Sequence, residues 1–385
     1  MSASNLYDDS LRMLWASKLV YSFADLLKEG RSGNLDLGDS FPREIIEMYK
    51  NERLDVRDLE NGHGLPFSTI MKIVQANEEN LKKVVSDPQH VAEIIEKIQR
   101  RKGEDDISET IFLETFASID SDTQCVYGVL KDIAKKRITI VFRGSTDPFS
   151  SRDWQTNFTF YMEGLRTPKL LVDKLEGSLK ERVLVHRGFY RYIFNNSRAD
   201  GDQRYDMILD DIKPFVEDGY KIYLTGHSLG AALSSLVAFK LAGSDKDWIP
   251  KPITCITYAS PFVGSGGFRT AFIELEKMGL IRYLRVNTSG DVVPTLIPLS
   301  FGWRKRFLKH VGINLRLYHN SYLFSHPNTN GFGLVNAIRN SMIKPLWRLM
   351  TNHLLPQHEE RMEKQKHLLQ QKSLEDLYAD KSIFG

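Results

Sequence analysis

The amino-terminal part of the chain has a helical pattern of apolar and polar residues. Residues 8–29 and 66–101 repeat apolar positions every three to four residues, which places them on one face of a helix. Between them, residues 30–64 are rich in Gly, Asp, Arg and Asn, a composition typical of loops. We therefore expect an amino-terminal helical region over residues 1–105. Its first helix, 8–29, is expected to pack on the protein core, and 30–105 to form an insertion or a cap.

After a polar boundary at residues 103–106, short β-rich runs alternate with helical stretches. The predicted strands are 125–130, 137–142, 221–225, 253–258, 281–286 and 312–317. The predicted helices between them are 205–216, 231–241 and 268–278. Strands that alternate with helices form a mostly parallel sheet covered by helices on both faces. The pattern thus predicts an α/β domain over residues 106–360, followed by a charged helical tail at 361–385 that lies on the surface.

The composition is that of an ordinary globular protein, with 42% hydrophobic and 26% charged residues. The 52 Lys and Arg residues nearly balance the 49 Asp and Glu residues, so no global field attracts nucleic acid. Basic side chains do gather at residues 303–310. Such a cluster fits a solvated strand edge, which is the commoner role, or contact with an anionic membrane surface.

The two cysteines, Cys125 and Cys255, lie in apolar runs where a small buried side chain is the usual role. Two thiols are few for a secreted protein, which favours a reducing compartment. We see neither a signal-peptide pattern nor an apolar run long enough to span a bilayer. We therefore expect a soluble, cytoplasmic protein or one bound peripherally to a membrane.

Residues 226–230 read G-H-S-L-G and carry the strongest chemical signal in the sequence. A G-x-S-x-G motif is weak by itself, but here a buried strand precedes it and a helix follows. Such a bend holds the serine in a strained conformation with its hydroxyl exposed for nucleophilic attack. The alternative is that Ser228 only caps the helix. A cap does not require Gly226 and Gly230 on both sides, so we favour Ser228 as a nucleophile.

Five motifs occur in an order that resembles the class 3 lipases, the fungal-lipase-like branch of the α/β-hydrolase superfamily. They are F-R-G-S at 142–145, H-R-G-F at 186–189, G-H-S-L-G at 226–230, Y-A-S-P-F-V-G at 258–264 and N-T-S-G-D-V-V-P at 287–294. The resemblance extends over about residues 125–320 and is far more specific than any single motif. It implies an α/β-hydrolase fold and a serine esterase of lipid degradation that uses neither a cofactor nor a metal ion.

The resemblance also implies roles for individual residues. Ser145 and the backbone amide of Leu229 are expected to form the oxyanion hole, with a turn or cap role as the alternative for Ser145. Asp291 follows a predicted strand and is expected to be the acid of the catalytic triad. A salt bridge or a turn is the alternative role for Asp291.

The order of the triad in this fold excludes every histidine that precedes Asp291. The stretch that begins at His353 resembles the family's late H-x-x-x-x-Y-x-x-R-L element, which lies at the start of a carboxy-terminal helix. The sequence departs from this element at His358, where Tyr is usual, and at Met362, where Leu is usual. We favour His353 as the catalytic base. The alternatives left open are His326 and His319.

Two large apolar side chains, Phe149 and Trp154, stand in an otherwise polar loop beside Ser145. The resemblance implies that this loop is a lid that opens at a lipid surface. The alternative is that Trp154 packs on the core beneath an ordered loop.

The activity implied by the resemblance is that of a triacylglycerol-type lipase with a Ser–Asp–His triad and an acyl-enzyme intermediate. Its substrate would be a lipid ester, reached through peripheral contact with a membrane or a lipid droplet. One alternative is a phospholipase A1 or galactolipase that acts on polar membrane lipids. The other is a lipase-like regulatory protein without catalysis.

Overall fold

The computed structural model describes residues 5–31, 53–55, 64–66, 111–119, 125–145, 161–175, 183–194, 204–291, 293–295, 308–326 and 351–380. Its strands are β1 Arg53–Asp55, β2 Leu65–Pro66, β3 Ile111–Ile119, β4 Cys125–Asp132, β5 Arg137–Phe142, β6 Met162–Gly164, β7 Leu184–His186, β8 Lys221–His227, β9 Ile253–Tyr258, β10 Ile281–Thr288, β11 Ile313–Leu317 and β12 Tyr322–Ser325. Its α-helices are α1 Leu6–Arg31, α2 Val172–Leu175, α3 Arg187–Phe194, α4 Arg204–Glu217, α5 Leu229–Ala242, α6 Gly266–Lys277, α7 Leu355–Lys364, α8 Lys366–Gln370 and α9 Leu374–Ala379. Two short 3₁₀ helices lie at Lys169–Leu171 and Val293–Thr295.

A single large sheet runs through the described part of the protein in the order β1-β3-β4-β5-β8-β9-β10-β11-β12, with β2 also paired to β3. Strands β5, β8, β9, β10 and β11 are parallel, whereas the outer pairs are antiparallel. The parallel strands read as continuous apolar runs because helices cover both of their faces. The predicted α/β class with a mostly parallel central sheet is confirmed.

Helices bury both faces of this sheet. On one face, α3, α4, α5 and α6 contribute Ile193, Ile208, Leu236 and Phe272 to a large apolar core. On the other face, α1, α7, α8 and α9 contribute Leu14, Met362, Leu369 and Leu377 to a second core. Each buried side chain of this size contributes about 1.5–3 kcal/mol through removal from water. The amino-terminal helix and the carboxy-terminal helices therefore share one face of the sheet.

Buried ion pairs also join α1 to the rest of the protein. Arg12 lies 3.0 Å from Asp132 of β4, and Lys18 lies 2.5 Å from Glu359 of α7. Helix α1 covers the predicted helical segment 8–29 and extends it by two residues at each end. It packs against β8, the strand that leads into the G-H-S-L-G bend.

The structure differs from the sequence predictions in several of its elements. Helices α2 and α3 and strands β3, β6, β7 and β12 were not predicted, and β1 lies within the predicted loop. The tail contains the end of α7 and the short helices α8 and α9, in which Leu369, Leu374 and Leu377 are buried, rather than one surface helix. The predicted helical segment 66–101 lies outside the described residues except for Pro66, which belongs to β2.

Both cysteines are buried free thiols, as the apolar context indicated. Burial raises the pKa of Cys125 to about 12, so its sulfur remains a neutral thiol. Among the helices within the described ranges, none has the length and apolar content needed to cross a membrane.

Candidate active site

The bend between β8 and α5 has the strained backbone expected of a nucleophile elbow. Ser228 has φ 55° and ψ −120°, in the left-handed range of φ that non-glycine residues rarely adopt. Such a conformation costs about 1–3 kcal/mol and persists only where surrounding contacts enforce it. Here the Ser228 amide donates a 3.0 Å hydrogen bond to the carbonyl oxygen of Tyr258 in the next strand.

The two glycines of the motif let the bend pack against its neighbours. A Cβ atom on Gly226 would lie 2.5 Å from the backbone of Gly230. A Cβ atom on Gly230 would overlap the carbonyl group of Phe142 in β5. Because each position would clash with backbone atoms rather than movable side chains, both require glycine. The hydroxyl of Ser228 makes no capping bond to α5, so the structure gives no support to a role as a helix cap.

Asp291 and His353 form a buried carboxylate–imidazole pair. The Nδ1 atom of His353 lies 3.0 and 3.1 Å from the two carboxylate oxygens of Asp291. His353 is 1% exposed and Asp291 is 5% exposed. One carboxylate oxygen also accepts a 3.0 Å hydrogen bond from the amide of Val293, which fixes the orientation of the acid. This pairing gives Nδ1 the proton and leaves the lone pair of the neutral ring on Nε2.

The Nε2 atom of His353 is buried and has no hydrogen-bond partner among the described residues. A buried polar nitrogen without a partner is costly, so such atoms frequently mark functional sites. His227, the neighbour of Ser228 in the chain, packs its ring against that of His353 with 4.6 Å between the ring centroids. The unpartnered nitrogen therefore belongs to an imidazole that lies beside the elbow.

Arg361 of α7 fixes the chain around this pair. Its guanidinium donates to the carbonyl oxygens of Ser289 at 2.9 Å and Leu317 at 3.1 Å, and also to the side chain of Asn352. It thereby links the turn before Asp291 to the residue before His353. Arg361 is the Arg of the H-x-x-x-x-Y-x-x-R-L element, and the sequence alone gives no indication of these hydrogen bonds.

Other histidines that follow Asp291 in the chain, including the two alternatives His326 and His319, have different partners. His326 is buried and its Nε2 atom lies 3.2 Å from a carboxylate oxygen of Glu276. His319 is exposed, 3.5 Å from the ammonium group of Lys364. His310 donates to the carbonyl oxygen of Pro294 and stacks on Phe262. Of the candidates left open by the sequence, the structure brings only His353 to Asp291.

Two further histidines, His186 and His358, are buried and neutral near physiological pH. Burial lowers the pKa of His186 to about 4 and that of His358 to about 4. His358 occupies the position where the family's late element usually has Tyr. It donates from Nδ1 to the carbonyl oxygen of Leu354, 3.1 Å away, and its ring meets Tyr258 edge-on.

The predicted oxyanion residues lie beyond the carboxyl ends of neighbouring parallel strands. Phe142 of β5 pairs with Gly226 of β8. Ser145 follows three residues after Phe142 and is half-buried, and Leu229 begins α5. Since parallel strands end at the same edge of a sheet, both residues belong to the edge that carries Ser228. The candidate lid residues Phe149 and Trp154 lie outside the described residues.

The order of the strands, the helices on both faces and the strained serine between β8 and α5 define an α/β-hydrolase fold, as predicted. Residues 139–301 match the model of the family described as Lipase (class 3). This segment of the chain is thus similar to the class 3 lipases, and the resemblance drawn from the five motifs is confirmed.

Among curated relatives, Phospholipase A1-II 7 of Oryza sativa subsp. indica is 30% identical over 185 residues, covering 44% of this chain and 43% of the relative. A lipase of Rhizomucor miehei is 29% identical over 194 residues, covering 50% of this chain and 45% of the relative. The chain thus spans less than half the length of these two proteins. A solved structure of Rhizomucor miehei triacylglyceride lipase is 22% identical, with a TM-score of 0.45 over 64% of this chain and 84% of that one.

Proposed function

We propose that this protein is a lipid carboxylester hydrolase of the triacylglycerol-lipase type, with Ser228 as nucleophile, His353 as general base and Asp291 as the acid. The observation that carries the proposal is the buried Asp291–His353 pair, whose unpartnered Nε2 belongs to a ring packed against His227, the residue before the strained serine. A helix cap or a structural ion pair requires neither the strain nor the unpartnered nitrogen.

The reaction follows from these positions. The Oγ atom of Ser228 attacks the ester carbonyl carbon while Nε2 of His353 takes its proton. The tetrahedral oxyanion accepts hydrogen bonds from Ser145 and the amide of Leu229, and the amino end of α5 adds its partial positive charge. Collapse breaks the ester bond, and the leaving alcohol takes the proton from His353. Water then repeats the sequence on the acyl-enzyme and releases the fatty acid.

A phospholipase A1 is the second candidate, because curated relatives with 30% and 32% identity carry that name. A galactolipase is the related possibility for a polar membrane lipid. Both use the same triad and differ only in the headgroup that the site accepts. Initial rates on matched trioleoylglycerol emulsions, phosphatidylcholine vesicles and galactolipid vesicles separate the three substrates. Peripheral contact with a membrane or droplet surface is part of each proposal.

The non-catalytic alternative predicts no covalent chemistry at Ser228. The triad assignment predicts that Ser228→Ala lowers hydrolysis of a soluble short-chain ester by at least ~10³-fold without loss of stability. His353→Ala should cause a similar loss, whereas His326→Ala, which removes one partner of Glu276, should leave turnover within ~5-fold if it folds. Turnover by Ser228→Ala near that of the wild type would overturn the proposal.

A further inference from the structure

We infer that His227 is a positioning residue for the triad: its ring holds the backbone and the face of His353, and Tyr21 of α1 holds the ring of His227. The inference rests on the proposed function, since it concerns the base of that reaction. It assigns a role in catalysis to a position of the G-H-S-L-G motif whose side chain the reaction itself does not use.

The hydrogen bonds of His227 have a defined direction. Its Nε2 atom lies 2.8 Å from the carbonyl oxygen of His353. A carbonyl oxygen can only accept, so Nε2 of His227 carries the hydrogen. In the neutral ring the other nitrogen, Nδ1, is then an acceptor, and the hydroxyl of Tyr21 lies 3.1 Å from it. The resulting chain of donors runs from Tyr21 through His227 to the backbone of His353.

Ring packing adds a second restraint on the catalytic base. The rings of His227 and His353 are tilted by 40° with their centroids 4.6 Å apart. His227 is 6% exposed, so its ring is buried. Asp291 restrains Nδ1 of His353, while His227 restrains its backbone and one face. Together these contacts determine where the free Nε2 points.

A glycine makes room for this arrangement. A Cβ atom on Gly144 would clash with both the hydroxyl of Tyr21 and the carbonyl oxygen of His227. Gly144 precedes Ser145, so Tyr21 stands where the oxyanion segment meets the elbow. Helix α1 therefore reaches the active site through the side chain of Tyr21.

A carboxylate alone does not define the position of a histidine in a loop. The Asp291 pair sets the tautomer and the ring plane, but His353 precedes α7 by two residues, and its main chain needs an anchor of its own. A displacement of about 1 Å between a base and its nucleophile can lower turnover ~10²-fold. The bond from His227 supplies that anchor from the residue adjacent to the nucleophile.

Two amide substitutions test the inference. The amide nitrogen of Gln at position 227 reaches close to the position of the imidazole Nε2, whereas that of Asn reaches only the position of Nδ1. We expect His227→Asn to lower kcat on p-nitrophenyl butyrate by ~10–100-fold with KM changed less than ~2-fold. His227→Gln, which retains the donor to His353, should keep kcat within ~5-fold of the wild type. The rate of labelling by a fluorophosphonate should fall in parallel with kcat.

Melting temperatures show whether the Asn and Gln variants are folded, so that a loss of activity can be attributed to the position of His353 rather than to unfolding. A purely structural role predicts equal activity for the Asn and Gln variants once both are folded, and that result would overturn the inference. If either variant does not fold, Tyr21→Phe replaces it, because it removes only the hydroxyl that orients His227. We expect Tyr21→Phe to lower kcat by ~3–10-fold with KM unchanged, and a kcat equal to that of the wild type would overturn the inference.

The same experiments distinguish this inference from the proposed function. A wild-type protein that neither hydrolyses the ester nor reacts with the fluorophosphonate contradicts the proposed function itself. An active wild type with unchanged kcat in His227→Asn contradicts only the role of His227.

Discussion

Replacing Lys18 with methionine removes a buried ammonium group from the contact between α1 and α7. In the native protein this group lies 2.5 Å from Glu359, and the two side chains are 1% and 7% exposed. The indole of Trp15 donates to the other oxygen of the same carboxylate at 3.4 Å. Methionine fills most of the space of the lysine stem but removes the ammonium group that lies against the buried carboxylate.

The cost of this change follows from burial. Removing one partner of a buried ion pair typically costs about 3–5 kcal/mol, because the remaining charge keeps its desolvation penalty. The total stability of a protein is about 5–15 kcal/mol, so this loss is a large fraction. The double change Lys18→Met with Glu359→Met removes both charges, and such replacements are often neutral or stabilising by about 1–4 kcal/mol. The double variant should therefore be more stable than the single one.

Urea unfolding followed by circular dichroism measures both effects. The matched control is Lys364→Met, which breaks an exposed pair with Glu360 in the same helix and should cost about 0–1 kcal/mol. The midpoint of Lys18→Met should fall well below that of the control at an unchanged slope. A loss of stability within about 1 kcal/mol of that of the control, or a double variant less stable than the single one, would contradict this cost of an unpaired buried charge.

Three further predictions concern the site and its surroundings. Asp291→Asn should lower kcat by ~10³–10⁴-fold in a short-chain ester assay, because an amide favours the wrong tautomer of the base; a loss below ~10-fold would contradict the assignment. Gly144→Ala should lower both melting temperature and kcat, since its Cβ clashes with Tyr21 and the backbone of His227; wild-type values for both would contradict this packing. His186 and His358, each with a pKa lowered to about 4, bind fewer protons in the folded than in the unfolded protein below pH 6.5. The free energy of unfolding is therefore unaffected by these two groups above pH 6.5. It declines as the pH falls from 6.5 towards 4, by up to about 3 kcal/mol for each histidine. Urea midpoints at pH 7 and pH 4.5 measure this decline, and the difference between them should be smaller in His186→Phe than in the wild type. An equal difference in the two proteins would contradict the prediction.

The parallel strands could be predicted because each is an apolar run bounded by polar turns. Strand β3 was missed for an identifiable reason. Its sequence carries Glu114 at a buried position, where Lys131 of β4 neutralises it at 3.5 Å, and the pairing register shifts between Leu113 and Thr115. A buried charge and an irregular register both interrupt the alternation by which a strand is recognised.

The site was predictable only where local sequence determines it. The elbow is local, because its glycines, strand and helix are contiguous. The partner of Asp291 lies 62 residues further along the chain, and His326 finds its own carboxylate 50 residues before it. No periodicity connects such positions, so the choice among histidines needed the fold. The contacts of His227 with Tyr21 and His353 span 206 and 126 residues and left no signal in the sequence.

Mass spectrometry of the protein after reaction with a fluorophosphonate identifies the nucleophile. We expect a single adduct on the peptide that contains Ser228, no adduct in Ser228→Ala, and a labelling rate reduced by at least ~10²-fold in His353→Ala. A folded wild-type protein that remains unlabelled, or an adduct that persists in Ser228→Ala, would contradict the assignment of Ser228 as the nucleophile.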